Sequence, residues 1–265
     1  MRLCSIASGS SGNCIYVGSD ATHLLVDTGI SCKRMVAGVE SLGVKPQELD
    51  GILITHEHSD HISGLGILAR KYEIPIYTTR ETYEAIKQDK KIGLLPEGLF
   101  HEVKYDEKFT LKDMMVYPVK ISHDAKKPVA YRVQCEKKKV GILTDLGNFN
   151  DYIVECMSDL DAVLLEANHD VNMLQVGPYP YYLKQRILSD RGHLSNELCG
   201  RLLDRILHNG TKNVILGHLS KENNMPELAY ETVRLEIDMS DSPFMAKDFN
   251  LSVAKRSEVS EVIEI

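Results

Sequence analysis

The sequence predicts a mixed α/β protein in which buried strands are covered by helices. Short β-rich runs alternate along the chain with amphipathic helical stretches. One run, Gly51-Ile52-Leu53-Ile54-Thr55, is almost wholly apolar, as in a strand buried on both faces. The 265 residues are 43% apolar and 26% charged, the balance of a globular chain long enough to bury a sizeable core.

Taken in order, residues 23–26 predict a strand ending at Asp27, and residues 32–42 a helix stopped by Gly43. The buried strand at 51–55 is followed by apolar residues at helical spacing over 62–72, then a short strand at 74–78. Strand-like runs come at 109–120, 129–135, 140–144 and 162–165, with late strands at 212–216 and 249–253. Helices fit 180–189, 195–207 and 226–237. No linker, repeat or long charge block interrupts this pattern, so residues 1–265 are expected to form one domain without a large insertion.

Composition excludes several classes. No apolar run approaches the roughly 18–20 residues of a membrane span, so no membrane partner is expected. The start of the chain breaks into Ser8-Gly9-Ser10-Ser11-Gly12 before a leader's apolar stretch forms, so no leader is expected. Six scattered cysteines without a C-x-x-C pair fit free thiols in the cytoplasm, not a disulfide framework or a thiolate zinc site. Net charge is −7, from 31 basic and 38 acidic residues. Residues 222–265 hold 10 acids and 4 bases, a balance of −6, leaving only −1 for the rest. Global charge therefore does not decide the substrate.

The informative segment is Thr55-His56-Glu57-His58-Ser59-Asp60-His61, where the buried strand gives way to a helix. With ten histidines in the chain, three within six positions do not arise by chance. His56 and His58, two apart on an extended turn, clamp one cation, and Asp60 and His61 serve a second close by. Imidazole and carboxylate donors suit zinc, manganese or iron.

This H-x-H-x-D-H pattern resembles the signature of the metallo-β-lactamase-fold hydrolases, and further segments match that family in order. Asp27 lies in Leu24-Leu25-Val26-Asp27-Thr28-Gly29, His123 in Ile121-Ser122-His123-Asp124, Asp145 in Leu143-Thr144-Asp145-Leu146-Gly147, and His218 in Ile215-Leu216-Gly217-His218. The resemblance implies a four-layer αββα sandwich with two divalent ions, zinc or manganese, with iron as the further candidate. It implies His56, His58 and His123 on one ion, Asp60, His61 and His218 on the other, and Asp145 between them. Asp27 would orient the metal loop from behind. His58 stands where flavodiiron proteins carry Glu, and no Cys ligand of the antibiotic-cleaving branch is present. Only 73 residues separate Asp145 from His218, too few for the inserted domain of RNase J. No flexible arm of the RNase Z kind is readable. The chain is most similar to the YycJ/WalJ-like subfamily, through Ser8–Cys14, Glu166-Ala167-Asn168-His169-Asp170, Arg191-Gly192-His193-Leu194-Ser195-Asn196 and Gly217-His218-Leu219-Ser220.

That resemblance implies a phosphodiesterase, a 5′→3′ exonuclease on DNA, attacking through a hydroxide shared by two cations. The alternative is a small-molecule hydrolase cleaving a thioester, lactone or cyclic phosphodiester. Asp60 and His193 are the candidate catalytic residues, His193 touching the scissile phosphate or protonating the leaving group. Ser195 opens a helix, a ready anion site, and Ser10, Asn13 and Ser220 are further candidate phosphate contacts. His169 is expected behind the ligands. His23, His101 and His208 lack companions and are expected to be structural. Lys126-Lys127 and Lys137-Lys138-Lys139 are candidates for a DNA backbone track.

Overall fold

The structure, a computed structural model, describes residues 1–265. The chain packs as two compact units, one of residues 1–120, 125–137 and 255–265, the other of residues 121–124 and 138–254. No helix is long and apolar enough to cross a membrane.

The first unit is built on strands β1 (Arg2–Ala7), β2 (Cys14–Gly18), β3 (His23–Val26), β4 (Gly51–Leu53), β5 (Ile76–Thr78), β6 (Phe100–Glu102) and β14 (Ile263–Glu264). Their order is β14-β1-β2-β3-β4-β5-β6. Pairing is antiparallel from β14 to β3 and parallel from β3 to β6. Strands β7 (Phe109–Leu111), β8 (Met114–Lys120) and β9 (Val129–Cys135) form an antiparallel meander in the same unit. Helices α1 (Cys32–Ser41), α2 (Ser59–Ile62), α3 (Leu65–Tyr72) and α4 (Arg80–Gln88) complete it. Met35 and Val39 of α1 and Leu65 and Leu68 of α3 pack with Leu25 and Ile52 of the sheet in one apolar core, as amphipathic helices on a buried sheet must.

Two sequence expectations are corrected in this unit. The helix expected over 62–72 is two helices, α2 and α3, broken at Ser63-Gly64. Gly64 N donates to Thr28 O at 2.8 Å, and a Cβ there would lie 2.1 Å from Ile30 O. The loop after β3 presses on the chain at that point and turns it. The run at 109–120 is likewise two strands, β7 and β8, reversing at Lys112-Asp113 with Lys112 in the left-handed region (φ 51°).

The second unit carries β10 (Lys138–Leu143), α5 (Asp151–Cys156), β11 (Ala162–Glu166), α6 (Val171–Val176), α7 (Tyr181–Ile187), α8 (Asn196–Ile206), β12 (Asn213–Gly217), α9 (Pro226–Asp238) and β13 (Asn250–Val253). Its four strands are all parallel, with Leu143 beside Leu165 and Leu165 beside Leu216. Parallel register sends every strand's C-terminal end to one edge, where loops gather. Asp145, Glu166 and His218 all lie there.

Asp161 fixes that register from the opposite edge. Its carboxylate accepts from Lys138 Nζ at 2.8 Å and Lys139 N at 2.9 Å, and its carbonyl accepts from Lys212 N at 2.9 Å. Burial pushes the Asp161 carboxyl up, but the Lys138 ammonium and the Lys139 N–H more than offset this and hold it below the ordinary carboxylate value. A lowered folded pKa stabilises above the unfolded value and ceases to do so as pH falls through the folded one. Asp161→Asn is therefore expected to lower unfolding free energy by about 1 kcal/mol at pH 7. The loss should shrink as pH falls below the ordinary carboxylate value and through the lower folded one; urea titrations at pH 7 and in acid check both.

Candidate metal centre

In the first unit, one buried carboxylate orients His61 directly and His56 through Thr55. Asp27 ends β3 in the left-handed region (φ 62°) and is fully buried. Its carboxylate accepts from Thr55 N at 2.8 Å, from Thr55 Oγ1 at 2.8 Å and from His61 Nδ1 at 2.7 Å. Because the carboxylate only accepts, the His61 proton sits on Nδ1 and the Nε2 lone pair faces away. The Thr55 hydroxyl, its proton given to Asp27, accepts from His56 Nδ1 at 3.0 Å. His56 Nε2 is thereby left as a bare donor, 3.1 Å from His58 Nδ1. Two nitrogens about 2.0–2.1 Å from one tetrahedral ion stand roughly 3.3 Å apart, so this separation fits two ligands converging on a cation. Asp60 Oδ2 lies 3.4 Å from His61 Nε2.

Backbone contacts lock the segment in place. Thr28 N donates to His61 O at 2.7 Å, and Asn13 N to Asp60 O at 2.8 Å. Gly29 is required here, because a Cβ on it would lie 1.6 Å from Asp60 O.

In the second unit, Asp145 Oδ1 lies 3.6 Å from His123 Nε2, 3.6 Å from His218 Nε2 and 3.5 Å from His193 Nδ1. Asp145 and His218 both follow parallel strands in the left-handed region, with φ of 57° and 54°. Asn168 Nδ2 donates to His218 O at 2.9 Å and steadies that turn. His123 Nδ1 donates to Gly192 O at 3.0 Å, which leaves the Nε2 lone pair on the side of Asp145, available to a cation. The fully buried Glu166 accepts from His193 Nδ1 at 2.8 Å and His218 Nδ1 at 2.7 Å through one oxygen. Its other oxygen accepts from Leu146 N at 2.8 Å and Leu194 N at 3.3 Å. Burial alone would raise its carboxyl, but His193 and His218 hold it well below the usual carboxylate range. Burial would lower His193, yet Glu166 prevails and raises it. His193 is 19% exposed, the one imidazole of this cluster open to solvent.

A family model described as a beta-lactamase superfamily domain matches residues 22–219. The chain belongs to that superfamily. This superfamily member is 43% identical over 236 residues to "Exodeoxyribonuclease WalJ" of Streptococcus pneumoniae, covering 89% of this chain and 88% of that one. It is 40% identical over 228 residues to "Exodeoxyribonuclease YycJ" of Bacillus anthracis, with 86% of each covered. Among solved structures it is similar to the metallo-beta-lactamase fold protein YhfI from Bacillus subtilis, with a TM-score of 0.72 at 19% identity over 98% of both chains. Its fold is the α/β sandwich of that group.

The donor sets of this superfamily member fit divalent cations. Each holds imidazoles, all but His58 with the tautomer set by a partner, beside carboxylates and with no thiolate among them. Two residues that do the setting, Thr55 and Glu166, were not singled out by the sequence. Thr55 opens the histidine segment and Glu166 ends a buried strand, and neither position distinguishes a carboxylate partner from an ordinary strand end.

Other predicted residues are occupied in different ways. Asn13 is buried, its Oδ1 accepting from Gly9 N at 3.0 Å and its amide facing His61 Nε2 at 3.2 Å. Ser195 caps α8 by accepting from Leu198 N, and Ser220 accepts from Asn223 N. Ser10 is exposed. His169 is buried and pairs by its backbone with Ser195; burial lowers its ring to about 4, so it is neutral at pH 7. His23 bonds Tyr16, His101 stacks on Tyr77 and His208 bonds Leu160 O. Lys127 and Lys138 pair with Glu81 and Asp161.

Glu166→Gln keeps the shape but removes the charge that sets both imidazoles. It is expected to weaken metal binding by roughly 10–100-fold, which competition against a chromogenic chelator measures.

Proposed function

We propose that this protein is a metal-dependent exodeoxyribonuclease that removes nucleotides from the 5′ end of a DNA strand. One observation carries the reading: identity of 43% and 40%, over nearly nine-tenths of the chain, to two proteins named exodeoxyribonucleases. In this reading residues 1–265 work as one domain, and His56, His58 and His123 hold one divalent cation. Asp60, His61 and His218 hold the second, and Asp145 serves both. Zinc and manganese suit these nitrogen and oxygen donors. When bound, such ions would supply a water nucleophile at neutral pH and positive charge for the attacking and leaving oxygens of a phosphodiester.

The chain's own residues supply the rest. Asp27 and Glu166 keep the ligand imidazoles in one tautomer and orientation, so little reorganisation accompanies binding. His193 has its Nδ1 held by Glu166, which turns Nε2 away from the carboxylate, and the same carboxylate favours its protonated form. A partly open imidazole beside Asp145, whose protonated form Glu166 favours, is placed to give its Nε2 proton to the leaving oxygen. Glu166 compensates the charge of the ring until the proton has moved.

The reading is tested with DNA labelled at one end and chelator-treated protein resupplied with Mn²⁺ or Zn²⁺. Stepwise shortening from the 5′ end is expected, and none with Asp60→Ala. His193→Ala is expected to slow the reaction by about 10²-fold or more with the bound metal unchanged by elemental analysis. Shortening from the 3′ end overturns the polarity; intact DNA alongside turnover of a thioester or lactone overturns the nuclease.

A further inference from the structure

Helix α7 contributes nothing to the core: none of its seven residues is buried. Tyr181 and Tyr182 are 76% and 75% exposed. A helix this short does not persist on its own, and α7 is held from its C-terminal side. His193 N donates to Ile187 O at 3.0 Å, and Gly192 N to Ser189 O at 2.8 Å. Arg186 pairs with Asp124, and Arg191 Nη2 donates to His123 O at 3.2 Å. A Cβ on Gly192 would lie 2.1 Å from Ile187 O, so the close seating of α7 on the loop depends on glycine. The helix is thus latched to the segments that present His123 and His193, and it spans about 10 Å from that loop to the two tyrosines.

Charge singles out the same stretch. Between residues 177 and 191 stand three cations, Lys184, Arg186 and Arg191, against one acid, Asp190; with Arg186 paired to Asp124, a local balance of +1 remains in a chain of −7. Flat rings beside cations match a polyanion with stackable bases.

We propose that α7 is a base-stacking platform for unpaired nucleotides of the DNA strand whose end lies at the His193 loop. Tyr181 and Tyr182 take base faces, and Lys184 and Arg191 face the backbone phosphates between the rings and the loop. The proposal rests on the exodeoxyribonuclease reading and narrows its substrate to DNA that is single-stranded at this stretch, since a paired and stacked base offers no free face.

The test measures binding of an end-labelled 12-nucleotide oligodeoxythymidylate by fluorescence anisotropy, in chelator so that nothing is cleaved. Tyr181→Ala/Tyr182→Ala is expected to bind roughly tenfold or more weakly, while Tyr181→Phe/Tyr182→Phe stays within about threefold of the parent. An abasic strand of equal length should bind the parent and the Ala pair alike. Because the chain has no Trp, quenching of tyrosine emission by the thymidylate strand should be visible in the parent and diminished in the Ala pair.

Equal thymidylate binding by the parent and the Ala pair, or abasic binding by the parent as tight as thymidylate, overturns the platform while shortening of DNA by the parent still stands. A parent dimer that the Ala pair converts to monomer in sedimentation velocity makes this face an interface between copies and also overturns it. A parent that neither binds nor shortens any DNA overturns the nuclease reading itself.

Discussion

Each unit of this protein buries a carboxylate that must be fully compensated, and the arrangement of donors follows from how that is done. Removing an ionised carboxylate from water costs several kcal/mol unless strong hydrogen bonds replace the water. Asp27 meets the cost with the backbone and hydroxyl of Thr55 and with His61. Glu166 meets it with two backbone N–H groups and with His193 and His218. In both units the compensating groups are imidazoles that must give up their Nδ1 proton position to the carboxylate. The opposite nitrogen is then a bare donor with a fixed direction. Metal affinity is a by-product of satisfying the buried charge, which is why the same two residues bear on folding and on the site at once.

The second constraint is where these residues sit on the chain. Asp27 follows β3, Asp145 follows β10 and His218 follows β12, and all three take left-handed backbone, at about 1 kcal/mol or more each for non-glycine residues. The turn is what swings the side chain back over the end of its own strand. Asp is among the residues that tolerate this conformation best; His218 is held there by the amide of Asn168 on its carbonyl. Parallel register does the rest, since Leu143, Leu165 and Leu216 are neighbours and the residues just beyond them share an edge. Asp161, at the other end of the same strands, sets that register with hydrogen bonds to the starts of β10 and β12.

Much of this was legible in the chain. The histidine segment at 55–61 is dense enough to declare itself, and the strand runs at 129–135, 162–165 and 212–216 reappear as β9, β11 and β12 nearly residue for residue. Elements that depend on distant backbone were not legible. The break at Ser63-Gly64 exists because Thr28 and Ile30 approach there, and nothing local distinguishes Gly64 from a tolerated helical glycine. Thr55 and Glu166 were passed over for the same reason: their importance lies in which imidazole stands opposite, a property of the fold and not of spacing. The edge strands β6 and β14, of three and two residues, are too short for periodicity to register.

The acidic balance of the chain is compatible with a nucleic-acid substrate once its location is considered. Of the formal −7, a balance of −6 belongs to residues 222–265, a stretch that holds none of the candidate donors. The carboxylates among the donors and their supports, Asp27, Asp60, Asp145 and Glu166, are counted at full charge in that sum, yet Asp27 and Glu166 are spent on imidazoles and buried N–H groups. Two divalent cations at the proposed centre would add about four positive charges. What an approaching strand would meet is therefore the local field: the cations proposed at the loops, Arg191 on the segment that presents His123, and the tyrosine rings of α7. Overall charge says something about solubility here and almost nothing about the substrate.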